Sequence, residues 1–404
     1  MVHVQFKIDN MNMKKYKLGD LLSEFHAGKA IQTENVKNKG AYPVYGGNGQ
    51  RGYTDSYNQD GEYLIIGRQG AYCGNVRYNI GKAYLTEHAI VGQAKENHNP
   101  IYIALKLSLM KLSQLQGQSA QPGLSVNTLS CISMEMPPKE IQDKIADIML
   151  KLDRKIELNK QINDNLEAMA KQLYDYWFVQ FDFPNEEGKP YKSSGGAMVY
   201  NERLKREIPV GWQVENLVDF AEIKNGATPS TSDDTNYGGD IVWITPKDLS
   251  DQQSKFVYQG ERNITKQGLD SCSTSMLPIN SVLMSSRAPI GLISIAKHEV
   301  CTNQGFKSFI PKNMEDSIYL YYYIKHHIKQ IEQLGTGTTF KEVSRDDLCK
   351  FSILVVGAND AYKQWVELQD EIANKQFVLT KEIASLTKQR DELLPLLMNG
   401  QAQP

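Results

Sequence analysis

The chain has 404 residues, of which 41% are hydrophobic and 23% charged, and its formal net charge is −2 at pH 7. This length exceeds what one compact core usually accommodates, so we expect two or three domains. No apolar run is long enough to cross a bilayer, and the N-terminus lacks a signal-peptide hydrophobic stretch, which favours a cytoplasmic protein. The near-zero net charge argues against a protein that holds nucleic acid by bulk positive charge alone.

The charge is unevenly distributed along the chain. Residues 11–137 contain 13 Lys or Arg against 9 Asp or Glu, whereas residues 209–355 contain 14 against 17. A DNA-binding function would therefore need a partner that neutralises part of the phosphate charge. The five cysteines and seven histidines show neither a disulfide framework nor ligand spacing, so we expect reduced thiols and no metal site.

The first segment, residues 1–137, is rich in Gly, Asn, Thr and Tyr and carries short β-type runs such as Tyr63 to Ile66. Within it, residues 47–52 spell G-N-G-Q-R-G, the G-x-G-x-x-G fingerprint of a dinucleotide-binding turn. A genuine fingerprint opens a helix, whereas the residues after Gly52, Y-T-D-S-Y-N-Q-D-G, predict none. We therefore interpret the match as accidental.

A long helix is predicted over residues 138–182, with Pro138 in its first turn. Its apolar residues recur at steps of four and three, which indicates a coiled-coil seam. The predicted seam residues are Ile141, Ile145, Ile148, Leu152, Ile162, Leu166, Met169, Leu173 and Tyr176, with Asn159 as a polar member.

The same plan follows a second time after a Pro- and Gly-containing linker at residues 183–208. Residues 209–358 form a second mixed segment, and a second helix is predicted over residues 359–400. Its predicted seam residues are Trp365, Leu368, Ile372, Leu379, Leu386, Leu393 and Leu396, with Lys375 as a polar member. A helix of this length spans about 60 Å.

Matching segments show that the chain contains an internal repeat. L-I-I-G-R-Q-G-A-Y-C-G, beginning at Leu64, resembles V-L-M-S-S-R-A-P-I-G, beginning at Val282, and places Arg287 219 positions after Arg68. We predict an α+β fold with two similar mixed α/β domains, held apart by two long antiparallel coiled-coil helices and related by a pseudo-two-fold axis.

Four motifs carry a resemblance to a known family. Two belong to the mixed segments, Y-P-V-Y-G-G-N-G-Q-R-G-Y-T-D from Tyr42 and N-G-A-T-P-S-T from Asn225, the latter followed by G-G-D-I-V-W-I-T-P-K-D-L. The others end the two helices, M-A-K-Q-L-Y-D-Y-W-F-V-Q-F-D-F from Met169 and R-D-E-L-L-P-L-L-M-N-G from Arg390. Over nearly its whole length the chain resembles the specificity subunits of type I restriction–modification systems.

The resemblance implies a non-catalytic DNA-specificity subunit. Each mixed segment would be a target recognition domain that reads one half of a bipartite, asymmetric DNA target. The helices would set the spacer and dock two adenine-methyltransferase (modification) subunits. Those subunits use S-adenosylmethionine, and restriction subunits add ATP- and Mg-dependent translocation and cleavage, so this chain would need no cofactor of its own. The sequence departs from the family in its longer approach to the second helix and in its acidic second module.

The repeat also sorts the candidate DNA-binding residues. Features that both modules share cannot encode two different half-sites, so they should contact the DNA backbone or support the fold. We assign Arg68 and Arg287 to this shared class, and we place Gln69 opposite Ala288 and Glu87-His88 opposite Asn303-Gln304. Positions that differ are candidates for base readout, and lysines near them are candidate phosphate contacts. The predicted DNA-binding residues are Lys29, Lys39, Tyr45, Asn48, Gln50, Arg51, Arg68, Gln69, His88, Gln118, Gln121, Lys224, Thr228, Trp243, Thr245, Lys247, Arg287, Asn303, Gln304, Thr336, Thr338, Thr339 and Lys341.

A second set is expected between the helices or against partner subunits. It comprises Ile162, Leu166, Leu173, Trp177, Leu379, Leu386 and Leu393. Two alternatives remain open. One is a tandem-repeat scaffold that binds protein partners without reading DNA, which the near-zero charge favours. The other is a cofactor-dependent enzyme, which rests on residues 47–52 alone.

Overall fold

The computed structural model describes residues 13–70, 72–115, 123–252, 254–287, 289–337, 341–356, 360–402 and 404. The chain divides into two compact units. Unit 1 comprises residues 1–158 and 382–404, and unit 2 comprises residues 159–381. Both long helices pass from one unit into the other, so each unit combines a mixed module with a part of each helix.

Unit 1 contains nine strands and three short helices among its described residues, together with the first part of a long helix. The strands are β1 (Lys14–Lys17), β2 (Leu22–Ala27), β3 (Tyr42–Gly46), β4 (Gly49–Thr54), β5 (Glu62–Gly67), β6 (Val76–Ile80), β7 (Tyr84–Leu85), β8 (Ala89–Ala94) and β9 (Ser133–Met136). The helices are α1 (Leu18–Leu21), α2 (Pro100–Ser108), α3 (Val126–Ser130) and the long α4 (Lys139–Tyr174).

The strands of unit 1 form a four-stranded sheet in the order β2-β8-β5-β6, a three-stranded sheet in the order β4-β3-β7, and the pair β1-β9. Asn99 caps α2, because its side chain accepts hydrogen bonds from the amides of Ile101 and Tyr102. Both of those residues are buried in the core of the unit, which also receives Met149 of α4. The sheet, α2 and the start of α4 therefore share one hydrophobic core.

Unit 2 repeats this set of elements with additions. The strands are β10 (Met198–Asn201), β11 (Arg206–Pro209), β12 (Gln213–Asn216), β13 (Ala221–Asn225), β14 (Tyr237–Ile244), β15 (Phe256–Val257), β16 (Arg262–Ile264), β17 (Val282–Ser285), β18 (Ile293–Ala296), β19 (Cys301–Thr302), β20 (Phe306–Pro311) and β21 (Ser352–Val355). The helices are α5 (Leu217–Phe220), α6 (Pro246–Gln252), α7 (Lys266–Asp270), α8 (Ser317–His326), α9 (Ile328–Leu334), α10 (Arg345–Lys350) and the long α11 (Asp360–Met398).

The sheets of unit 2 follow the order of unit 1. They are β13-β20-β17-β18-β15, β16-β14-β19 and the pair β12-β21, so each strand of unit 1 has a counterpart. The additions α6 and β15 lie between β14 and β16, where unit 1 has only the tight turn between β3 and β4. The repeated topology confirms the prediction of two similar mixed α/β modules in one chain.

The two long helices run antiparallel within each unit. In unit 1, Lys155 of α4 pairs with Glu382 at the start of the last part of α11, at 3.1 Å between Nζ and Oε1. In unit 2, the Nε2 atom of Gln369, near the start of α11, donates to the carbonyl of Ala170 at 3.0 Å. In unit 2, later residues of α4 thus contact early residues of α11. In unit 1, earlier residues of α4 contact later residues of α11.

The predicted seams are wrong at six positions, which are exposed: Ile162, Met169 and Tyr176 of α4, and Leu368, Lys375 and Leu396 of α11. The buried or half-buried stripe of α4 includes Ile145, Met149, Leu152, Ile156, Asn159, Asn163, Leu166, Ala170 and Leu173, and it continues to Trp177. That of α11 includes Trp365, Gln369, Ile372, Gln376, Leu379, Ile383, Leu386, Arg390, Leu393 and Leu397. Both stripes keep the predicted heptad spacing.

The difference arises because polar or small residues occupy buried positions while their apolar neighbours face outward. Ile162 is 40% exposed and Met169 is 45% exposed, whereas Asn163 and Ala170 turn inward. Likewise Lys375, predicted on the second seam, is exposed, and the neighbouring Gln376 is buried. A search that rewards large apolar residues therefore selects Ile162 and Met169 over Asn163 and Ala170.

The first long helix ends in a π-helical turn, Asp175–Val179, that is part of the core of unit 2. The predicted linker continues from it and contains the antiparallel hairpin β10-β11. Arg206 fastens this hairpin to the turn, since its guanidinium donates to the carbonyl of Val179 at 2.7 Å and lies 4.4 Å from the ring centroid of Phe181. No helix among the described residues is long and apolar enough to span a membrane.

Candidate nucleic-acid interface

Three loops of unit 1 meet through backbone hydrogen bonds at one edge of the two sheets. The amide of Arg68, just after β5, donates to the carbonyl of His88 at 2.9 Å. The amide of Leu124 donates to the carbonyl of Arg68 at 2.9 Å, and that of Thr86 donates to Tyr45 at 2.9 Å. The loops after β3, β5 and β7 and the segment before α3 are thereby held together. We call this group of loops the recognition edge.

Unit 2 repeats the recognition edge bond for bond. The amide of Ser286 donates to the carbonyl of Gly305 at 2.8 Å, and that of Val343 donates to Ser286 at 2.9 Å. The amide of Asn303 donates to the carbonyl of Ile244 at 3.1 Å. The same loops therefore converge in both modules on an equivalent backbone frame.

This frame corrects the predicted alignment of the repeat by one residue. Arg68 occupies the position of Ser286, because both make the same two backbone bonds. Gln69 occupies the position of Arg287, because Gln69 forms a β-bridge with Gly123 where Arg287 forms one with Glu342. Arg68 and Arg287 are thus not equivalent, and Gln69 does not lie opposite Ala288. The two arginines lie one position apart in the repeat, and their chance match concealed that the loop after β5 is one residue longer in unit 1.

The loop after β7 is shifted in the same way. The bonds of Thr86 and Asn303 make those two residues equivalent, so Glu87 corresponds to Gln304 and His88 to Gly305. The sequence comparison had instead set Glu87 and His88 against Asn303 and Gln304. As a result, the second module has no side chain where the first carries an imidazole.

The recognition edge of unit 1 carries an ordered polar group. The Nδ1 atom of His88 donates to Gln69 Oε1 at 3.1 Å, and its Nε2 atom lies 3.2 Å from Glu87 Oε1. Gln69 also packs over Gly123, where a β-carbon would lie 3.2 Å from its Cγ. The amide of Gln69 therefore lies between the imidazole of His88 and the backbone of Gly123.

The recognition edge of unit 2 carries different groups on the same frame. The hydroxyl of Thr228 donates to the side-chain oxygen of Gln304. Lys307 pairs with Glu342 at 3.3 Å, next to the bridge that holds Arg287. Arg287 is half-buried, and its guanidinium has no hydrogen bond or ion pair with the part of the chain that the structure describes. A planar donor group is therefore available at this edge.

Several predicted DNA-binding residues lie exposed on or near the two edges. In unit 1 they sit in the loops after β2 and β3, on β4 and beside β7; in unit 2 they sit beside β19 and around the bridge between Thr336 and Glu342. The exposed residues are Lys29, Lys39, Asn48, Gln50, Arg51, Gln304, Thr336 and Lys341, and His88 is 44% exposed at its side chain. Arg68, Gln69, Thr228, Arg287 and Asn303 are half-buried.

Other predicted residues have structural roles instead. Trp243 is 6% exposed, belongs to a small hydrophobic cluster and donates its indole N–H to the carbonyl of Ala227, so assigning it to DNA contact was wrong. Thr245 begins α6, and its hydroxyl and amide both donate to Asp248, which leaves it no free donor. Tyr45 packs against the core under β3, and this burial raises the pKa of its hydroxyl.

Two predicted lysines are already paired. Lys224 forms an ion pair with Glu222, and Lys247 forms one with Glu261 at 2.7 Å. Such exposed pairs are weak and compete only slightly with a phosphate group. The predictions at Gln118, Gln121, Thr338 and Thr339 lie outside the described residues.

Two residues at the edge of unit 1 escaped the sequence analysis. The guanidinium of Arg77 on β6 reaches the turn after β3, where it donates to the carbonyl of Asn48 at 3.4 Å. Tyr72, in the loop after β5, is 53% exposed. In the repeat the position of Arg77 is held by Ser294 on β18, and Arg77 sits in an ordinary alternating strand, so only the fold brings it to the edge.

The predicted helix residues lie in different surroundings. Leu166, Leu173 and Trp177 pack in the core of unit 2, whereas Leu393 packs against that of unit 1. Leu379 and Leu386 are half-buried, and Ile162 is exposed. No group of His, Cys, Asp and Glu side chains within the described ranges is arranged to hold a metal ion.

Comparison with known proteins identifies the family. The family described as "Type I restriction modification DNA specificity domain" matches residues 10–168 and again residues 209–395, which are the two copies of the repeat. The chain belongs to this family. This membership confirms the prediction of a specificity subunit, as opposed to a catalytic subunit, of a type I restriction–modification system.

Individual relatives agree with this assignment. The chain is 41% identical over 149 residues to the type I restriction enzyme MjaIX specificity subunit of Methanocaldococcus jannaschii, a match that covers 36% of this chain and 34% of that protein. It is 28% identical over 335 residues to the HindI specificity subunit of Haemophilus influenzae, covering 69% of this chain and 71% of that protein. The chain therefore spans only about a third of the first relative and about seven-tenths of the second.

A solved structure supports the fold. The crystal structure of a type I restriction–modification S subunit from M. genitalium superposes with a TM-score of 0.67 at 16% identity, covering 97% of this chain and 98% of that one. At this low identity the likeness concerns the architecture and not the residues of the recognition edge.

Proposed function

We propose that this chain directs a type I restriction–modification complex to a bipartite, asymmetric DNA target, with one recognition edge reading each half. The observation that carries the proposal is the bond-for-bond repetition of the backbone frame under different side chains. A shared frame places two readers on DNA in the same way, whereas the differing side chains let them select different bases. A scaffold for protein partners would need no such pairing of constant frame and variable edge.

The helix pair is proposed to separate the two edges and to dock the partner subunits. Exposed apolar side chains at heptad-related positions of α4, Leu158, Ile162, Met169 and Tyr176, support docking, because a helix that is apolar outside its packed stripe usually has a further partner. We assign this surface to two adenine-methyltransferase subunits. Those subunits would also supply positive charge that the acidic second module lacks.

The chemistry is assigned to those partners. The modification subunits would bind S-adenosylmethionine and transfer its methyl group to adenine, and restriction subunits would use ATP and Mg²⁺. This chain would contribute no catalytic group and no cofactor. Because chromosomal and invading DNA would be the substrates, the proposal includes a cytoplasmic location.

Selection from random DNA tests the proposal. The full chain, alone and with its methyltransferase subunits, is incubated with a random duplex library, and the bound fraction is sequenced. We expect enrichment of one motif made of two specific parts around a gap of constant length, strongest with the methyltransferase subunits present. Absence of any split motif in both settings, together with stable binding to protein partners, would instead identify a scaffold.

A further inference from the structure

The corrected alignment puts Gln69 and Arg287 at the same position of two equivalent recognition edges. We propose that this position is a base-reading site in both modules, at which Gln69 reads adenine in one half-site and Arg287 reads guanine in the other. The inference rests on the proposed function and deepens it by naming the residues and the bases.

The backbone supplies the first argument. Gln69 and Arg287 each form a β-bridge near the start of the loop after β5 or β17, to Gly123 and to Glu342 respectively. The preceding residue, Arg68 or Ser286, has both its amide and its carbonyl bonded, so the side chain that follows starts from a fixed backbone. Readers of DNA bases gain specificity when they are held in this way, because little ordering remains to be done on binding.

The neighbouring position supplies the second argument. Arg68 precedes Gln69, and its counterpart Ser286 is fully buried and bonded through its hydroxyl to the carbonyl of Gly305 at 3.2 Å. In the second module, the position equivalent to Arg68 therefore faces the interior. The next position is partly exposed in both modules, as Gln69 in the first and Arg287 in the second, whereas the position of Arg68 and Ser286 is partly exposed only in the first.

The chemistry of the two side chains supplies the third argument. An amide pairs bidentately with adenine by donating to N7 and accepting from the N6 amino group, and a guanidinium pairs bidentately with guanine O6 and N7. His88 Nδ1 donates to Gln69 Oε1 at 3.1 Å, which uses one lone pair of that oxygen and leaves the other for the adenine amino group. The same contact directs the amide nitrogen of Gln69 away from the imidazole. His88 is therefore a positioning residue for Gln69.

The second module lacks this support and does not need it. Gly305 stands where His88 stands in the first module, so no imidazole competes with the fork of Arg287. Arg287 makes no hydrogen bond or ion pair with residues in the described part of the chain. A guanidinium is planar and keeps its five donors in one fork, so it reads guanine without a neighbour that fixes its orientation.

Reciprocal substitution tests the proposal. Full-length Gln69→Arg and Arg287→Gln variants are co-expressed with the methyltransferase subunits, and methylated adenines are mapped across the host genome. Gln69→Arg should replace adenine by guanine at one position of one half-site, with a change in preference on the order of 10- to 100-fold. Arg287→Gln should relax or replace a guanine in the other half-site. In each variant the untouched half-site is the internal control.

Conservative variants guard against loss of folding. Arg287→Lys keeps the charge but not the fork, so the same guanine should be read less strictly while the rest of the motif stays unchanged. His88→Ala should weaken selectivity at the base read by Gln69 alone, whereas the control His26→Ala, at an exposed histidine of β2, should change no base. If the reciprocal variants are inactive, Arg287→Lys and His88→Ala decide the matter in the same assay.

The outcomes separate this inference from the proposed function. A wild-type complex that methylates no split motif would refute the proposed function. A wild-type split motif that stays identical in these variants, or that weakens equally at every base, would overturn the inference and leave the proposed function intact.

Discussion

A charged cluster anchors the second mixed module to the long helices, and its central residue is Glu167 of α4. The Glu167 carboxylate accepts hydrogen bonds from Lys325 Nζ at 2.8 Å and from the hydroxyl of Tyr322 at 3.0 Å, both on α8. It also accepts from Gln376 of α11 at 3.3 Å and lies 3.4 Å from Lys255 Nζ. The ammonium group of Lys255 is nearly inaccessible, since its side chain is only 5% exposed.

We predict that Glu167→Gln lowers the free energy of unfolding by about 2–4 kcal/mol. Removing one partner of a buried ion pair leaves an uncompensated charge, which costs about 3–5 kcal/mol in measured cases. Partial exposure of Glu167 and proton loss from Lys255 both reduce this cost. Burial lowers the pKa of Lys255 to about 8 even beside Glu167, so loss of the carboxylate should lower it further.

The sign of the pH dependence follows from the same shift. The folded-state pKa of Lys255 lies below its unfolded value of 10.5, so burying the ammonium is most costly at neutral pH and the cost disappears as pH rises through that interval. At high pH, Lys255 is neutral in the wild type and in the Glu167→Gln variant alike. The stability difference between wild type and Glu167→Gln should therefore shrink as pH rises from 7 through about 8 and change little above that.

Urea unfolding of the full chain, followed by circular dichroism, measures these differences. Asp164→Asn is the matched control, because it removes one carboxylate from an exposed position of the same helix and should change stability by less than about 0.5 kcal/mol. Adding Lys255→Met to Glu167→Gln should restore most of the loss. A Glu167→Gln variant as stable as the control, or a double variant without recovery, would refute this account of the cluster.

Three further substitutions test the packing inside the individual units. Asp153→Asn should lower the free energy of unfolding in urea by about 1–2 kcal/mol, because the carboxylate accepts hydrogen bonds from Tyr78 at 2.5 Å and from Arg390 at 3.1 Å. No loss of stability would mean that the ion pair with Arg390 is not formed in solution. Gly226→Ala should cost about 2–3 kcal/mol, since its β-carbon would lie 2.1 Å from a backbone oxygen, and a fully stable variant would contradict the close approach. Asn159→Leu should raise thermal stability by about 1 kcal/mol, because the buried Nδ2 atom has no partner among the described protein groups; a destabilised variant would indicate a bridging water.

The two mixed modules, the two long helices and their order along the chain were predictable because the repeat and the heptad spacing are visible in the sequence. Which face of each helix is buried was only half predictable. Gln369 and Gln376 hold interior positions through bonds to a backbone carbonyl and to Glu167, so polarity there marks a specific contact and not exposure. A pattern search that rewards apolar residues misses such positions.

The recognition edges, too, were only partly predictable from the sequence. The sequence located the loops, and most of the predicted polar residues lie on them or near them. It could not align the loops residue by residue, because the chance match of Arg68 with Arg287 shifted the alignment by one residue. Trp243 was misassigned for a related reason, since an indole beside a strand end suits base stacking and core packing equally well until its burial is known.

The central claim is that the paired helices set the distance between two independent readers. One heptad inserted after Leu158 and another after Lys381 would lengthen both helices by about 10 Å at 1.5 Å per residue. We predict that a genome-wide map of methylated adenines will then show both half-sites unchanged and the gap between them longer by roughly two to three base pairs. Altered half-sites with an unchanged gap would contradict the claim.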